Sequence, residues 1–331
     1  MHKLPKILIL ATGGTIAGSA ANDTDMTSYQ AGALKIETLL EAVPQINLYA
    51  DVQGEQICDI DSCNMTDEIW FQLAEKVNTL LRDASIDGIV ITHGTDTLEE
   101  TAYLLNLVVK HAKPVVLVGA MRPATAISAD GPLNLLNAVK VAICKESAGK
   151  GVLVAINDEI HGARDVTKTN TSSVHTFQSP AFGILGCISN GQPIFYRTPM
   201  RNHTIKSEFS LENLTNLPRV EIVYAHANQN RFLIDALINA GVKGIVYAGM
   251  GNGSIHCNAE EGLLDAAKEG IVVVRSSRSG SGRVTRSNQK WEEFNFIKAD
   301  TLNPQKARIL LALALTKTKD AEVIQRMFDM Y

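Results

Sequence analysis

The sequence predicts an α/β protein of two domains, built on a parallel sheet covered by helices on both faces. Three observations carry this. Continuous runs of Val, Ile and Leu recur along the chain between segments of helical periodicity, which is how strands buried on both faces read. The chain has 331 residues, long for one domain and comfortable for two. Two of the apolar runs end in Thr- and Gly-rich turns, and in such sheets ligands bind outside the carboxyl ends of the strands.

The first strand is Lys6-Ile7-Leu8-Ile9-Leu10. Its flank, Met1-His2-Lys3-Leu4-Pro5, imitates the basic start of a signal peptide, but the apolar run is short and Thr12-Gly13-Gly14-Thr15 follows at once. A strand is therefore expected, and removal of an upstream leader stays open. An amphipathic helix is predicted over residues 67–81, where Ile69, Leu73, Val77 and Leu80 recur at three and four. A strand over 88–91 and a helix over 99–109 come next. Strands over 114–118 and 151–156 flank a helix over 134–143. The polar stretch 190–218 interrupts this alternation. It places an N-terminal domain at 1–197, a linker at 198–218 and a C-terminal domain at 219–331. The latter holds strands at 220–224, 244–247 and 271–274 and helices at 231–240 and 259–267. Pro304 sits in a permitted first-turn position of a helix over 305–315, and a last helix runs from about 320 to 330.

Composition excludes several classes. Hydrophobic residues make up 45% of the chain, ample for a core, and the formal charge of −4 with no Lys/Arg block gives no reason to expect nucleic acid. No apolar run approaches the roughly 20 residues a membrane helix needs. The five cysteines, Cys58, Cys63, Cys144, Cys187 and Cys257, form no C-x-x-C pair, so no zinc ribbon or redox dithiol is signalled, and a reducing compartment fits best. A nucleotide site is disfavoured because Thr15 occupies the second glycine place of G-x-G-x-x-G and no G-x-x-x-x-G-K-[ST] occurs.

The turn Leu10-Ala11-Thr12-Gly13-Gly14-Thr15-Ile16-Ala17 and the turn Ile91-Thr92-His93-Gly94-Thr95-Asp96-Thr97 together resemble the paired signatures of bacterial L-asparaginases and glutaminase-asparaginases. Further matches follow in order: Val118-Gly119-Ala120-Met121-Arg122-Pro123, Ser128-Ala129-Asp130-Gly131-Pro132, Arg164 to Asn170, Gly251-Asn252-Gly253, Arg275-Ser276-Ser277-Arg278 and Leu302 to Arg308. The resemblance covers essentially the whole chain and is nearest the high-affinity branch. It implies a flavodoxin-like N-terminal domain, a smaller α/β C-terminal domain, and a homotetramer of tight dimers whose sites are completed by a neighbouring subunit. It also implies L-asparagine as substrate, with no metal or organic cofactor. Carried over, Thr15 is the nucleophile on a loop shared with Tyr29. Thr95 and Lys168 are the second hydroxyl and its ammonium partner beside Asp96. Ser62 and Asp96 hold the substrate's α-carboxylate and α-amino group, and Gly14, Cys63, Ala120, Asn252 and Gln289 complete the substrate contacts.

The chemistry is consistent with those roles. Amide hydrolysis needs a nucleophile, a proton route and an oxyanion site, and a Thr hydroxyl is weak until something accepts its proton. Tyr29 can relay from Thr15, and Lys168 can act through Thr95. The backbone N–H groups of Gly14 and Thr95 are candidates for the oxyanion hole. Simpler readings exist: Thr15 and Thr95 as helix N-caps, Lys168 as a solvated charge, Tyr29 as packing, His93 as structural and Asp130 as the organiser of its turn.

Two departures from the family pattern bear on specificity. The usual Gly-Ser-Gln-Asp reads Asp61-Ser62-Cys63-Asn64, so a substrate-contacting Gln has become Cys63. Where a neighbouring subunit normally supplies a Glu, Gln289 stands nearest, with Glu292 as a possible substitute. Leu80 or Leu81 and His111 occupy the positions of a disulfide found in some periplasmic members. The expected function is L-asparagine hydrolysis in the cytoplasm, or in the periplasm if a leader was removed. A glutaminase-asparaginase and a non-catalytic asparagine or aspartate sensor are the alternatives. Retention of Thr15, Thr95, Asp96 and Lys168 argues against the sensor.

Overall fold

The computed structural model describes residues 3–20, 22–24, 29–30 and 32–331. The chain divides into two compact units, Met1–Glu212 and Asn213–Tyr331.

In the first unit, β1 (Lys6–Gly13) is followed by a two-stranded ribbon of β2 (Ser19–Ala20) and β3 (Tyr29–Gln30), then α1 (Ile36–Glu41) and β4 (Asp51–Ile60). The predicted alternation then appears as α2 (Asp67–Arg82), β5 (Gly88–Thr92), α3 (Leu98–Val108), β6 (Val115–Val118), α4 (Gly131–Ile143) and β7 (Val152–Ile156). After it come β8 (Glu159–Gly162), β9 (Thr167–Lys168), β10 (Phe177–Gln178), β11 (Gly186–Ser189) and β12 (Gln192–Phe195). One eight-stranded sheet runs β12-β11-β8-β7-β6-β5-β1-β4. Its five parallel strands β4-β1-β5-β6-β7 have the order 2-1-3-4-5 in chain sequence, the flavodoxin-like winding. Every residue of β5, β6 and β7 is buried, which is why their sequences are unbroken apolar runs.

Four strands of this sheet, β4, β8, β11 and β12, escaped the sequence reading. Strand β4, Asp-Val-Gln-Gly-Glu-Gln-Ile-Cys-Asp-Ile, has no fully buried residue, because it is an edge strand and only its backbone is needed for pairing with β1. The polar stretch assigned to a pause contains β12, the opposite edge. Residues 198–212 pack into the first unit, with Phe209 fully buried.

The second unit holds β13 (Val220–Tyr224), α5 (Phe232–Asn239), β14 (Gly244–Gly249), α6 (Cys257–Lys268), β15 (Val272–Ser277), α7 (Gln289–Glu293), β16 (Ile297–Lys298), α8 (Pro304–Leu315) and α9 (Ala321–Met330). Its four strands are all parallel in the order β13-β14-β15-β16. Helix starts follow capping chemistry. Asn303 accepts from Lys306 N at 3.1 Å ahead of Pro304, and Asp320 accepts from Glu322 N and Val323 N at 2.9 and 3.1 Å. Asp320, expected inside the last helix, is therefore its cap. Among the described residues no helix is long and apolar enough to cross a membrane.

Candidate active site

In a sheet of order 2-1-3-4-5 the winding direction reverses between the first and third strands, here β1 and β5. Ala11 pairs with Thr92 across them, so the two Thr-rich turns leave the sheet side by side. Thr12 Oγ1 donates to Thr92 O at 2.9 Å and ties the strand ends together. A methyl group added to Gly14 would lie 2.2 Å from Gly94 Cα, so the turns meet backbone to backbone. Gly14 also has φ +82°, a conformation that disfavours any other residue.

Neighbouring strand ends bring the remaining groups. Ser62 follows β4; its Oγ accepts from Asp96 N at 3.1 Å, and its carbonyl accepts from Thr97 Oγ1 at 2.7 Å. Ala120, fully buried, follows β6. Its turn is organised by Asp130, whose carboxylate accepts from Met121 N and Arg122 N at 3.0 Å and from Asn134 Nδ2 at 3.1 Å. Lys168 arrives on β9, half-buried, and its Nζ donates to Thr95 Oγ1 at 2.9 Å and to Asp96 Oδ1 at 2.6 Å. Hydroxyl, ammonium and carboxylate thus form one contiguous set, and Lys168 is no solvated charge.

The capping alternative fails for both threonines. Gly14, not Thr15, precedes the short 3₁₀ turn Thr15–Ala17, and Thr97 occupies the N-cap position of α3. Thr15 and Thr95 are both buried, 6% and 5% exposed, just beyond the ends of β1 and β5. One expectation is corrected: the Gly14 N–H donates to Ile60 O at 3.0 Å and is taken by the neighbouring strand, so it is no oxyanion donor. The Gly14 carbonyl is used as well, accepting from Gly32 N at 3.1 Å. Tyr29 contributes its backbone to β3, and its side chain lies outside the described residues.

Cys63 is exposed beside Ser62. Partial loss of hydration and then the charges of Asp61 and Asp96 push its thiol above the ordinary range. Asn252 and Gln289 belong to the second unit. Asn252 Oδ1 accepts from Thr285 N at 2.6 Å and Arg286 N at 3.1 Å, pinning the 285–286 segment to the turn closed by Met250 and Ser254. Gln289 opens α7 and donates to Glu293 Oε1 at 2.8 Å. The sequence reading missed Glu99. It is 4% exposed on α3 and accepts from Thr167 Oγ1 at 3.0 Å, which holds the residue next to Lys168. An acid in the first turn of a helix reads as a surface residue, so periodicity carried no signal for it.

A hydroxyl, an amine and a carboxylate meet at the switch point of a doubly wound sheet, the place where such folds bind ligands. Comparison with known proteins makes the class specific. The family model for the asparaginase N-terminal domain matches residues 6–201, and that for the glutaminase/asparaginase C-terminal domain matches residues 219–328. The chain is 54% identical to a probable periplasmic L-asparaginase of Haemophilus influenzae over 98% of this chain and 93% of that protein. It is 51% identical to L-asparaginase 2 of Escherichia coli, over 99% and 94%. A crystal structure titled as a probable cytoplasmic L-asparaginase from Campylobacter jejuni superposes with a TM-score of 0.97 at 53% identity, covering 99% of this chain and all of that one. The chain belongs to the asparaginase family, and it is an amidohydrolase.

His93, in the second Thr-rich turn, is completely buried. Its Nδ1 lies 2.7 Å from Gly94 O, which requires the proton on Nδ1, and Nε2 has no partner among the described residues. Burial lowers its pKa from 6.5 to about 4. The unfolded chain therefore binds a proton between these values that the folded chain refuses, so stability falls as pH drops from about 6.5 towards about 4. At about 1.4 kcal/mol per pH unit the loss reaches up to about 3 kcal/mol. Urea unfolding at pH 7 and pH 4.5 should show this loss in the wild type and a smaller one in His93→Gln; equal losses would contradict the assignment.

Proposed function

We propose that the protein hydrolyses L-asparagine to L-aspartate and ammonia, with Thr15 as nucleophile. The observation that carries this reading is the Thr95–Lys168–Asp96 set at the strand end beside the Thr15 turn. Asp96 and Ser62 anchor the α-ammonium and α-carboxylate, so the side-chain amide is presented to the two hydroxyls. Thr15 Oγ1 attacks the amide carbon, and its proton passes by way of Tyr29 to the departing nitrogen. Ammonia leaves, and water cleaves the resulting ester to regenerate the hydroxyl. Thr95 Oγ1 accepts from Lys168, which leaves its own O–H to polarise the attacked group or the attacking water. With the Gly14 N–H engaged, the Thr95 backbone N–H is the oxyanion donor. Ala120 borders the same strand ends, and Asn252 and Gln289 are carried over as substrate-binding residues on the family resemblance alone. Positioned proton transfer contributes on the order of 10²–10⁴ in rate. Thr15→Ala and Thr95→Val should therefore each lower ammonia release by about a hundredfold or more with the fold retained by circular dichroism. Near-normal turnover in either variant removes that residue from the chemistry.

A second reading, hydrolysis of both asparagine and glutamine, is favoured by 46% identity to a protein named glutaminase-asparaginase from Pseudomonas fluorescens. Cys63 argues for asparagine. A Gln amide donates and accepts in fixed geometry, whereas a thiol does either weakly. One lost hydrogen bond costs about 0.5–1.5 kcal/mol, or about two- to tenfold, and the longer amide should suffer first. The wild type should prefer asparagine in kcat/KM, and Cys63→Gln should raise glutaminase activity proportionally more. An unchanged ratio would sink the argument.

The active form is proposed to be a homotetramer, a dimer of dimers with sites shared between subunits, because closed symmetric assemblies are the rule for such enzymes and the family pattern draws a residue from a neighbour near Gln289. Sedimentation should show no active monomer. We read the compartment as cytoplasmic on the five free thiols. Activity released by osmotic shock would contradict that reading.

A further inference from the structure

A cavity in the first unit, of about 330 Å³, is lined in part by Lys150, Arg164, Asp165, Arg197 and Arg201. Arg164 and Arg201 have partners of their own, so the unmatched charge is that of Lys150 and Arg197, which raises the local concentration of anions. The only carboxylate is already committed, since Arg164 Nη1 lies 3.2 Å from Asp165 Oδ1 with the arginine nine-tenths buried. Lys150 donates to Thr198 Oγ1 at 2.9 Å, a neutral partner that leaves its charge uncompensated. The Arg197 guanidinium has no acceptor among the described residues. It lies against Gly183, where a Cβ would stand 3.2 Å from Nη1, so a side chain at that position would crowd it. The rest of the lining is apolar: Phe182, Leu185, Pro199 and Met200, of which Phe182 and Met200 are exposed at the rim. The volume falls at the small end of the range for ligand pockets, and convergent charge beside an apolar wall is their usual composition.

The cavity's wall is continuous with the catalytic strand. Gly162, Ala163, Arg164 and Asp165 line it, and the turn they form is closed by Asp165 N and Val166 N, both donating to Gly162 O at 3.1 Å. The next two residues are Thr167, held by Glu99, and Lys168, held by Thr95 and Asp96.

We propose that this cavity binds a small organic anion, a carboxylate or phosphate head on a compact apolar body, and that its occupancy alters turnover through the turn that carries Lys168. The second half rests on Lys168 acting in the reaction; the first half does not.

Titration calorimetry on the intact protein with phenylacetate, phenyl phosphate and benzyl alcohol tests the binding. One or both anions should bind at about 1 mM or tighter, and the neutral alcohol about tenfold more weakly or worse. Which anion binds more tightly distinguishes carboxylate from phosphate. Arg197→Ala and Phe182→Ala should each weaken the preferred anion, the former by about tenfold or more as a charge-assisted contact is lost. No heat from either anion, or affinity unchanged in both variants, would overturn the site. Saturating anion should shift kcat or KM of the wild type at least about twofold and leave Arg197→Ala unaffected at the same concentration. Binding with both constants unchanged would overturn the coupling alone.

Discussion

A methyl group on Gly14 would lie 2.2 Å from Gly94 Cα, and one on Gly94 would lie 2.7 Å from Ser62 Oγ. Three strand ends, those of β1, β5 and β4, therefore converge at a point where there is no room for side chains. The convergence fixes the position of the turns relative to one another. With the backbones in contact, Thr15 and Thr95 each follow directly on one of these glycines, and Ser62 packs against Gly94. The Gly14 N–H bond to Ile60 O and the Asp96 N–H bond to Ser62 Oγ lock the three turns to one another. A larger residue at either glycine would part the turns, and no adjustment of the hydroxyl rotamers could recover a shift of an ångström or more.

Against this rigid platform the charged groups are supported from behind. The Lys168–Asp96 pair, at 2.6 Å, joins a half-buried ammonium to a carboxylate whose side chain is 53% exposed. Solvent screening makes such a pair a weak contributor to stability. Its consequence is positional: Lys168 is fixed between Thr95 Oγ1 and Asp96 Oδ1. Glu99 supports the arrangement by holding Thr167, so the strand that carries Lys168 is tied to the helix that begins just after Asp96. Carboxylate and amine thus approach from opposite sides on elements that are themselves bonded together.

What was legible in the sequence follows from which physical signals are local. Strands β5, β6 and β7 are buried on both faces and had to be apolar throughout, so they and their following turns could be read directly. Thr15, Thr95, Asp96 and Lys168 were singled out because their segments resemble a known family over its whole length. Edge strand β4 was missed because pairing through the backbone alone leaves no pattern in the side chains. The engagement of the Gly14 N–H by Ile60 could not be seen either, since it depends on that unread strand. Glu99 went unremarked for the converse reason: a buried acid at a helix start looks like a solvated one until its partner from a distant hairpin is placed.

The change at Cys63 can be narrowed by the charges around it. Asp61 and Asp96 both oppose ionisation of the thiol, so Cys63 stays neutral near pH 7. A neutral thiol adds no negative charge beside the place assigned to the substrate's α-carboxylate, and it is a poor nucleophile as well. Replacing a family Gln by Cys therefore removes a hydrogen-bonding amide without introducing electrostatic repulsion or a competing reactive group. Its effect on amide choice is geometric. The contribution of Cys63 to discrimination between the shorter and the longer amide should accordingly be insensitive to pH across the neutral range, because the thiol carries no charge there.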